Sequence, residues 1–251
     1  MSEDQSPNQP IVIVPSSPRY AAAMEDLQHA VYGSTRERPN GALTEKHFLH
    51  HQMIFPEGQF VALAIQPDGS ERVVGLTCSM RLPFDPDHPF LEAWDETISG
   101  GWLTRHDPRA KWMYGVESAV HPAYQGHGIG GKLMEARFKV AKHLNLRGMV
   151  AGSALISYYK VADSVSADEY VRGVVDGRYF DNNLSKQIKK GFHPIATIPN
   201  YLDDQDTRGW GAVIVWDNPA YNPHHQTIKR VSRSRSSMLI RPQHPHGFAA
   251  R

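Results

Sequence analysis

The chain has 251 residues, with 27 Lys and Arg against 26 Asp and Glu and a formal net charge of +1, so no overall field selects for nucleic acid or an anionic membrane surface. Hydrophobic residues make up 40%, enough for a sizeable core in one generous domain. The one cysteine, Cys78, excludes an internal disulfide. With a polar start (Met1-Ser2-Glu3-Asp4-Gln5) and no long uncharged apolar run, it leads us to expect a cytoplasmic protein with no membrane partner.

In chain order, the apolar pattern predicts a strand over 11–14 and then a helix entered at Ser17-Pro18, with Ala23, Leu27, Ala30 and Val31 on its inner face. A second helix is expected over 44–55, capped by Thr44. Strands over 60–65 and 73–82 flank Pro67-Asp68-Gly69, which has the turn chemistry of a hairpin. Cys78 lies in the second of these and reads as a small buried hydrophobe. Residues 112–120 have the aromatic and β-branched content of a fourth strand. After it, Ile129, Leu133, Ala136, Val140 and Leu144 recur at helical spacing. A fifth strand is read over 148–151, a helix over 184–190 stopped by Gly191, and two last strands over 192–198 and 210–216. Two long connections remain, 83–111 and 154–183, and loops of that length carry function or small elements of their own. Within the second, Ser166-Ala167-Asp168-Glu169-Tyr170-Val171 has a capping signature and should open a helix. We therefore expect a flexible segment over 1–10, one domain over 11–222 and a basic tail over 223–251. His47 and His51, one helical turn apart, are expected on a solvated helix face, since no third zinc ligand accompanies them.

Between the fourth strand and its helix runs Val120-His121-Pro122-Ala123-Tyr124-Gln125-Gly126-His127-Gly128-Ile129-Gly130-Gly131. Pro122 ends the ladder, and glycines let successive N–H groups converge at the positive end of the helix dipole, so an anion is the natural occupant. A dinucleotide fingerprint matches at Gly126, Gly128 and Gly131, but 147–153 contains no acidic residue for a ribose hydroxyl. A nucleoside-triphosphate loop matches at Gly126, Gly131 and Lys132, but Leu133 stands where a magnesium-binding hydroxyl belongs. A glycine-rich turn that binds nothing is the bland reading.

A third reading fits every position. Val120-x-Pro122-x-x-Gln125-Gly126-x-Gly128-Ile129-Gly130 resembles the signature of the GNAT superfamily of N-acetyltransferases, and the order of predicted elements is similar to that superfamily's over roughly 11–220. The resemblance implies an α/β fold, a mixed and mostly antiparallel sheet of about seven strands flanked by helices, here with inserts between strands three and four and between strand five and the fourth helix. It also implies acetyl-CoA as co-substrate, with no metal, and direct transfer to a primary amine in a ternary complex. A non-catalytic acyl-CoA-binding or regulatory module of the same fold is the alternative. The second insert, Gly191-Phe192, Pro199-Asn200-Tyr201-Leu202 and Asn218-Pro219 further resemble acetyltransferase-like domains attached to nitrilase-type amidohydrolases, although no such hydrolase is present in these residues.

Carried onto this chain, the motif assigns coenzyme contacts to Gln125, Gly126, His127, Gly128, Ile129, Gly130 and Gly131, and meets the thioester carbonyl with main chain at Ser118, Ala119 and Val120. Asn183, beside Asn182, is a candidate for the pantetheine amides. Glu117 is the first choice of general base, because a carboxylate in an apolar strand is costly without a role; His121 or a water chain are its rivals. Alternation puts Glu117 and Ala119 on one face and Ser118 and Val120 on the other. Many members place a Tyr where this chain has Gln187, so Tyr179 is the candidate acid, with Tyr158, Tyr159 and Ser185 as substitutes. Asp85, Asp87, Glu92, Asp95 and Glu96 make the first insert acidic, which would attract a cationic acceptor, although a solvated loop explains it as well. A homodimer is allowed, and no nucleic-acid partner is expected.

Overall fold

The computed structural model describes residues 9–224, so most of the basic tail lies outside the described residues. Among them, seven strands, β1 (Ile11–Pro15), β2 (Phe60–Ile65), β3 (Glu71–Leu82), β4 (Trp112–Val120), β5 (Gly148–Ala154), β6 (His193–Ile198) and β7 (Gly211–Asp217), form one sheet in the order β1-β2-β3-β4-β5-β7-β6. Every neighbouring pair is antiparallel except β4 and β5. This is the expected fold class. Helices α1 (Ala21–Tyr32), α2 (Glu45–Ile54), α3 (Trp94–Thr97), α4 (Ile129–His143), α5 (Ala167–Val175) and α6 (Leu184–Ile188) cover its two faces.

The sheet is buried on both sides, which is why β2 reads Val61-Ala62-Leu63-Ala64 without alternation. Below one face, Met24 and Leu27 of α1 and Phe48 of α2 pack on Leu63, Met80, Tyr114 and Val116. On the other, Ile129 and Leu133 of α4 meet Ala62 and Val74, and α5 and α6 pack over Met149, Ile214 and Trp216. Each fully buried Leu or Met side chain contributes roughly 1.5–3 kcal/mol of apolar burial.

Both inserts are built into these cores. Ile98 and Leu103 of the first are fully buried with α1 and α2, and Trp94, opening α3, donates its main-chain N–H to Tyr201 O at 3.0 Å. In the second, Ser166 and Glu169 close the capping box that starts α5. The histidines of α2 depart from the solvated face expected of them. His51 is buried with Nε2 2.6 Å from Gly101 O, and His47 Nδ1 accepts the Thr44 N–H at 3.1 Å, because the first insert folds over that helix face. Cys78 is buried as expected, and burial pushes its thiol far up, so it is inert as a nucleophile.

Two irregularities place the functional region. The β4–β5 ladder runs only from Trp112↔Gly148 to Tyr114↔Val150, after which the strands diverge. In the β3–β4 ladder, Ser79 pairs with Gly115 and Cys78 with Glu117, leaving Val116 as the extra residue of a bulge. Both occur in the middle of β4.

Candidate active site

Past Val120, a short helical turn, Pro122–Tyr124, carries the chain into the glycine bend. Gly126 and Gly128 sit at φ +82° and +75°, conformations that favour glycine, and Gly128 caps α4. Among the described residues, the main-chain N–H groups from Gly126 through Gly131 make no hydrogen bond within the protein. A Cβ built at Gly126 or Gly128 meets nothing within 4 Å, so the bend is open rather than plugged. Gln125 and His127, expected to contact the coenzyme, turn back on the main chain. Gln125 Nε2 donates to Val120 O at 3.1 Å, and His127 Nδ1 lies 2.8 Å from Gln125 O. Lys190 adds a cation at the rim, its Nζ 3.2 Å from where a Gly131 Cβ would be and 2.9 Å from Glu135. An exposed run of unsatisfied donors at a helix N-terminus, edged by an ammonium, could hold an anion.

Glu117 lies on the α1 side of β4, the face it shares with Ala119 by alternation. Tyr32 Oη donates to its carboxylate at 3.0 Å, and the Gln28 side chain stands beside it. Burial raises the carboxyl above its usual value, opposed by the Ser118 N–H, the Tyr32 hydroxyl and the Arg137 guanidinium. Tyr32 is 53% exposed as a residue while its hydroxyl end lies against Glu117, and burial of that end together with the carboxylate raises the phenol well above its usual value. Tyr201 is buried across β5 and β7, its hydroxyl donating to Gly152 O at 3.1 Å, and burial likewise raises its phenol. Gly152 and Gly211 make room for it, since a Cβ at either would overlap the ring. Trp94 Nε1 donates to Val116 O at 2.9 Å, so the first insert reaches the bulge itself.

Other candidates are placed elsewhere. Tyr179 stacks on Tyr170 at 5.4 Å and fills the space over Gly173, in the layer of α5 rather than beside Glu117 and α1. Tyr158 donates to Val165 O, and Ser185 Oγ accepts the Asp181 N–H; both serve the second insert. Tyr159 is exposed under Lys160. His121 Nδ1 accepts the Ala123 N–H at 3.2 Å, which engages it as a turn cap. The Ser118 N–H is held by Glu117 Oε1 at 2.7 Å, so of the stretch 118–120 this donor is already engaged. Asn183 Nδ2 donates to Ala154 O at 3.3 Å, at the free end of β5.

Sequence reasoning missed Tyr32, Trp94, Tyr201 and Arg137. The signal for Arg137 was present: it falls on the spacing of Ile129, Leu133 and Ala141, the buried face of α4. Asp181 was also missed. Its buried carboxylate accepts from Ser157 N, Tyr170 Oη, Asn183 N and Leu184 N, and so fixes the start of α6 against the second insert.

Fold and site together define an α/β protein with an open, glycine-lined strand-to-helix bend at the open end of a split sheet. The chain belongs to the acetyltransferase (GNAT) family, whose model matches residues 30–162. It is 31% identical over 178 residues to an uncharacterized N-acetyltransferase, YkwB, of Bacillus subtilis (strain 168), an alignment covering 71% of this chain and 76% of that protein. It is 34% identical over 190 residues to a probable hydrolase, YhcX, of the same organism; these are 75% of this chain but only 36% of YhcX. Among solved structures, the fold is similar to the GNAT-like decarboxylase GphF in complex with isobutyryl-CoA (TM-score 0.64, 20% identity, 82% of this chain and 99% of that one). It is also similar to the loading GNATL domain of CurA from Lyngbya majuscula (TM-score 0.66, 15% identity, 83% of this chain and 98% of that one). No helix among the described residues is long and apolar enough to cross a membrane, and no group of His, Cys, Asp and Glu there could hold a metal ion.

Proposed function

We propose that this protein transfers an acetyl group from acetyl-CoA to a primary amine by direct attack in a ternary complex. The observation that carries this reading is the unbonded run of N–H groups from Gly126 to Gly131, following a strand that carries a carboxyl whose affinity for protons is raised. The amides of the bend and Lys190 hold the diphosphate, and the gap between β4 and β5 admits the pantetheine arm, with Asn183 at its β5 side. Glu117 takes the proton from the acceptor ammonium, and a raised pKa brings the group closer to what a base needs near neutral pH. As it becomes neutral, its hold on the Ser118 N–H weakens, which frees that donor for the carbonyl oxygen as it gains charge. In this reading Tyr32 replaces Tyr179 as the source of the proton for the departing thiolate, and the proton that Glu117 has taken from the amine passes back to the phenol oxygen through their hydrogen bond. Trp94 brings the first insert onto the β4 bulge next to Glu117, and an insert built over the acceptor side favours a small or medium amine over a flat protein surface. The alignment to part of a longer probable hydrolase supports kinship with acetyltransferase-like domains attached to hydrolases.

A second reading, an acyl-CoA-binding module without turnover, is favoured by Gln187 in the place of the family's Tyr. Thiol release from acetyl-CoA, followed against a panel of amines, separates them. Saturable release that depends on the amine supports transfer. Tight CoA binding by calorimetry with no release for any amine supports the module and overturns transfer.

A further inference from the structure

Arg137 is 3% exposed in the middle of α4, and the bonds it makes go to main-chain oxygens. Its Nη2 donates to Cys78 O at 2.9 Å and also to Glu117 O. These are the residues that face one another across β3 and β4 beside the bulge. A bulge disrupts the ladder and leaves polar groups in need of other partners. Here a single guanidinium takes a carbonyl from each strand, and Thr77 Oγ1 shares Glu117 O at 2.9 Å. The sheet is shaped for it. A Cβ at Gly115 would lie 3.2 Å from Arg137 Nη1 and 3.4 Å from Ala151 Cβ, so glycine at this point of β4 leaves room for the cation just where β4 and β5 part.

A buried cation without a carboxylate against it is costly, and two carbonyls alone do not need one. What the arrangement does is lock the bulge, and the bulge decides where the next side chain goes. Were Val116 paired in a regular ladder, Glu117 would share the face of Gly115, on the α4 side; with Val116 bulged out of register, Glu117 turns to α1. We propose that Arg137 is the positioning residue for Glu117, clamping the carbonyls that flank the β4 bulge and so aiming the carboxyl at the acceptor side. This inference rests on the reading of Glu117 as the base.

The titratable groups whose charge is felt at Glu117 are Tyr32 from α1, Cys78 from β3, Tyr201 from the loop between β6 and β7 and, through the strand, Arg137 from α4. Of these only Arg137 is cationic near neutral pH; its charge lowers the proton affinity that burial raises. Removing it therefore moves the Glu117 titration to higher pH. The test compares the full chain with Arg137→Met, Arg137→Lys and Glu117→Gln. The Glu117 carboxyl is titrated by carbon NMR of carboxyl-labelled glutamate, with Glu117→Gln assigning the signal, and this readout needs no turnover. Arg137→Met is expected to raise the titration midpoint by about 1 pH unit, and Arg137→Lys to restore most of it. In thiol release, the Met variant should lower kcat by about 100-fold with little change in KM for acetyl-CoA. If Arg137→Met does not fold, Gly115→Ala crowds the same Nη1 and should shift the midpoint in the same direction. An unmoved midpoint, with kcat per folded molecule equal to that of the parent, overturns the proposal. Full activity of Glu117→Gln overturns the base and this inference together, whereas an inactive Glu117→Gln beside unmoved Arg137 variants overturns the inference alone.

Discussion

Replacing Gly128 with Val separates ligand binding from folding in a way the geometry makes quantitative. No protein atom lies within 4 Å of the Cβ that would be added, so the fold meets no clash. The residue must hold φ +75°, and left-handed backbone costs an L-residue about 1–2 kcal/mol. For a chain of this size that is a fall of about 2–8 °C in Tm. The new side chain instead occupies the space in front of the unbonded N–H groups. Hydrogen bonds to a charged partner contribute about 1.5–3 kcal/mol each, so blocking two of them raises the Kd for acetyl-CoA by at least about 100-fold. Gly69→Val is the control, because Gly69 has φ +82°, is equally free of neighbours and lies in the β2–β3 hairpin. Calorimetry and thermal melts on both variants decide the matter. Equal losses of stability with CoA affinity within about threefold of the parent in both would refute the placement of the diphosphate at this bend.

Glu117→Gln should lower kcat by about 100-fold or more while acetyl-CoA still binds, measured by thiol release and calorimetry. The same substitution should stabilise the fold in alkaline conditions. Because the folded carboxyl is raised, its ionised form is disfavoured in the native state, so the stability gap between variant and parent is widest above the Glu117 titration and closes as pH falls, readable by urea unfolding. His51 has the opposite sign: burial depresses it to about 4, so the stability it contributes is present above about pH 6.5 and is lost as pH falls through about 4, a change of about 3 kcal/mol. His51→Leu should flatten Tm against pH over that window. Asp181→Ala leaves the Ser157, Asn183 and Leu184 N–H groups and the Tyr170 hydroxyl unpaired, and should cost about 3 kcal/mol or more and lower Tm by about 6–12 °C in thermal melts.

The fold was legible where local chemistry and burial agree. Thr44 before Glu45–Ile54, the Pro67-Asp68-Gly69 turn between β2 and β3, and the Ser166–Glu169 capping box each mark a boundary that neighbouring residues alone determine. The glycine bend was legible for the same reason, since left-handed φ at Gly126 and Gly128 is a property of residue type. Helix α6 was read too long, to 190, although Ile188 ends it and Gly191 sits at φ +94° just beyond. The candidate catalytic groups were harder because they are assembled from distant segments. Glu117 could be singled out as a carboxylate in an apolar strand, but its partners come from α1, the first insert and the β6–β7 loop, which no spacing rule connects. Tyr179 fails for the complementary reason: a Tyr near the right point of the sequence is drawn into stacking on Tyr170 by an insert whose packing only the folded chain reveals.

The bulge shows why the aim of a side chain is the last thing a sequence yields. Strict alternation along Trp112–Val120 gives Gly115 and Glu117 the same parity, yet Gly115 meets Arg137 of α4 while Glu117 meets Tyr32 of α1. The inversion needs an extra residue, and the extra residue needs partners for the carbonyls it displaces, supplied by Arg137 and Thr77. Alternation thus assigned the right face to Glu117 and Ala119 relative to each other, but could not say which helix layer that face meets, because the sign is set by a guanidinium on α4, in a separate element. A single arginine on an otherwise apolar helix stripe is the trace such a device leaves in sequence. Where a strand of alternating pattern precedes a phosphate-binding bend, that trace is the reason to expect a bulge and a re-aimed side chain at its midpoint.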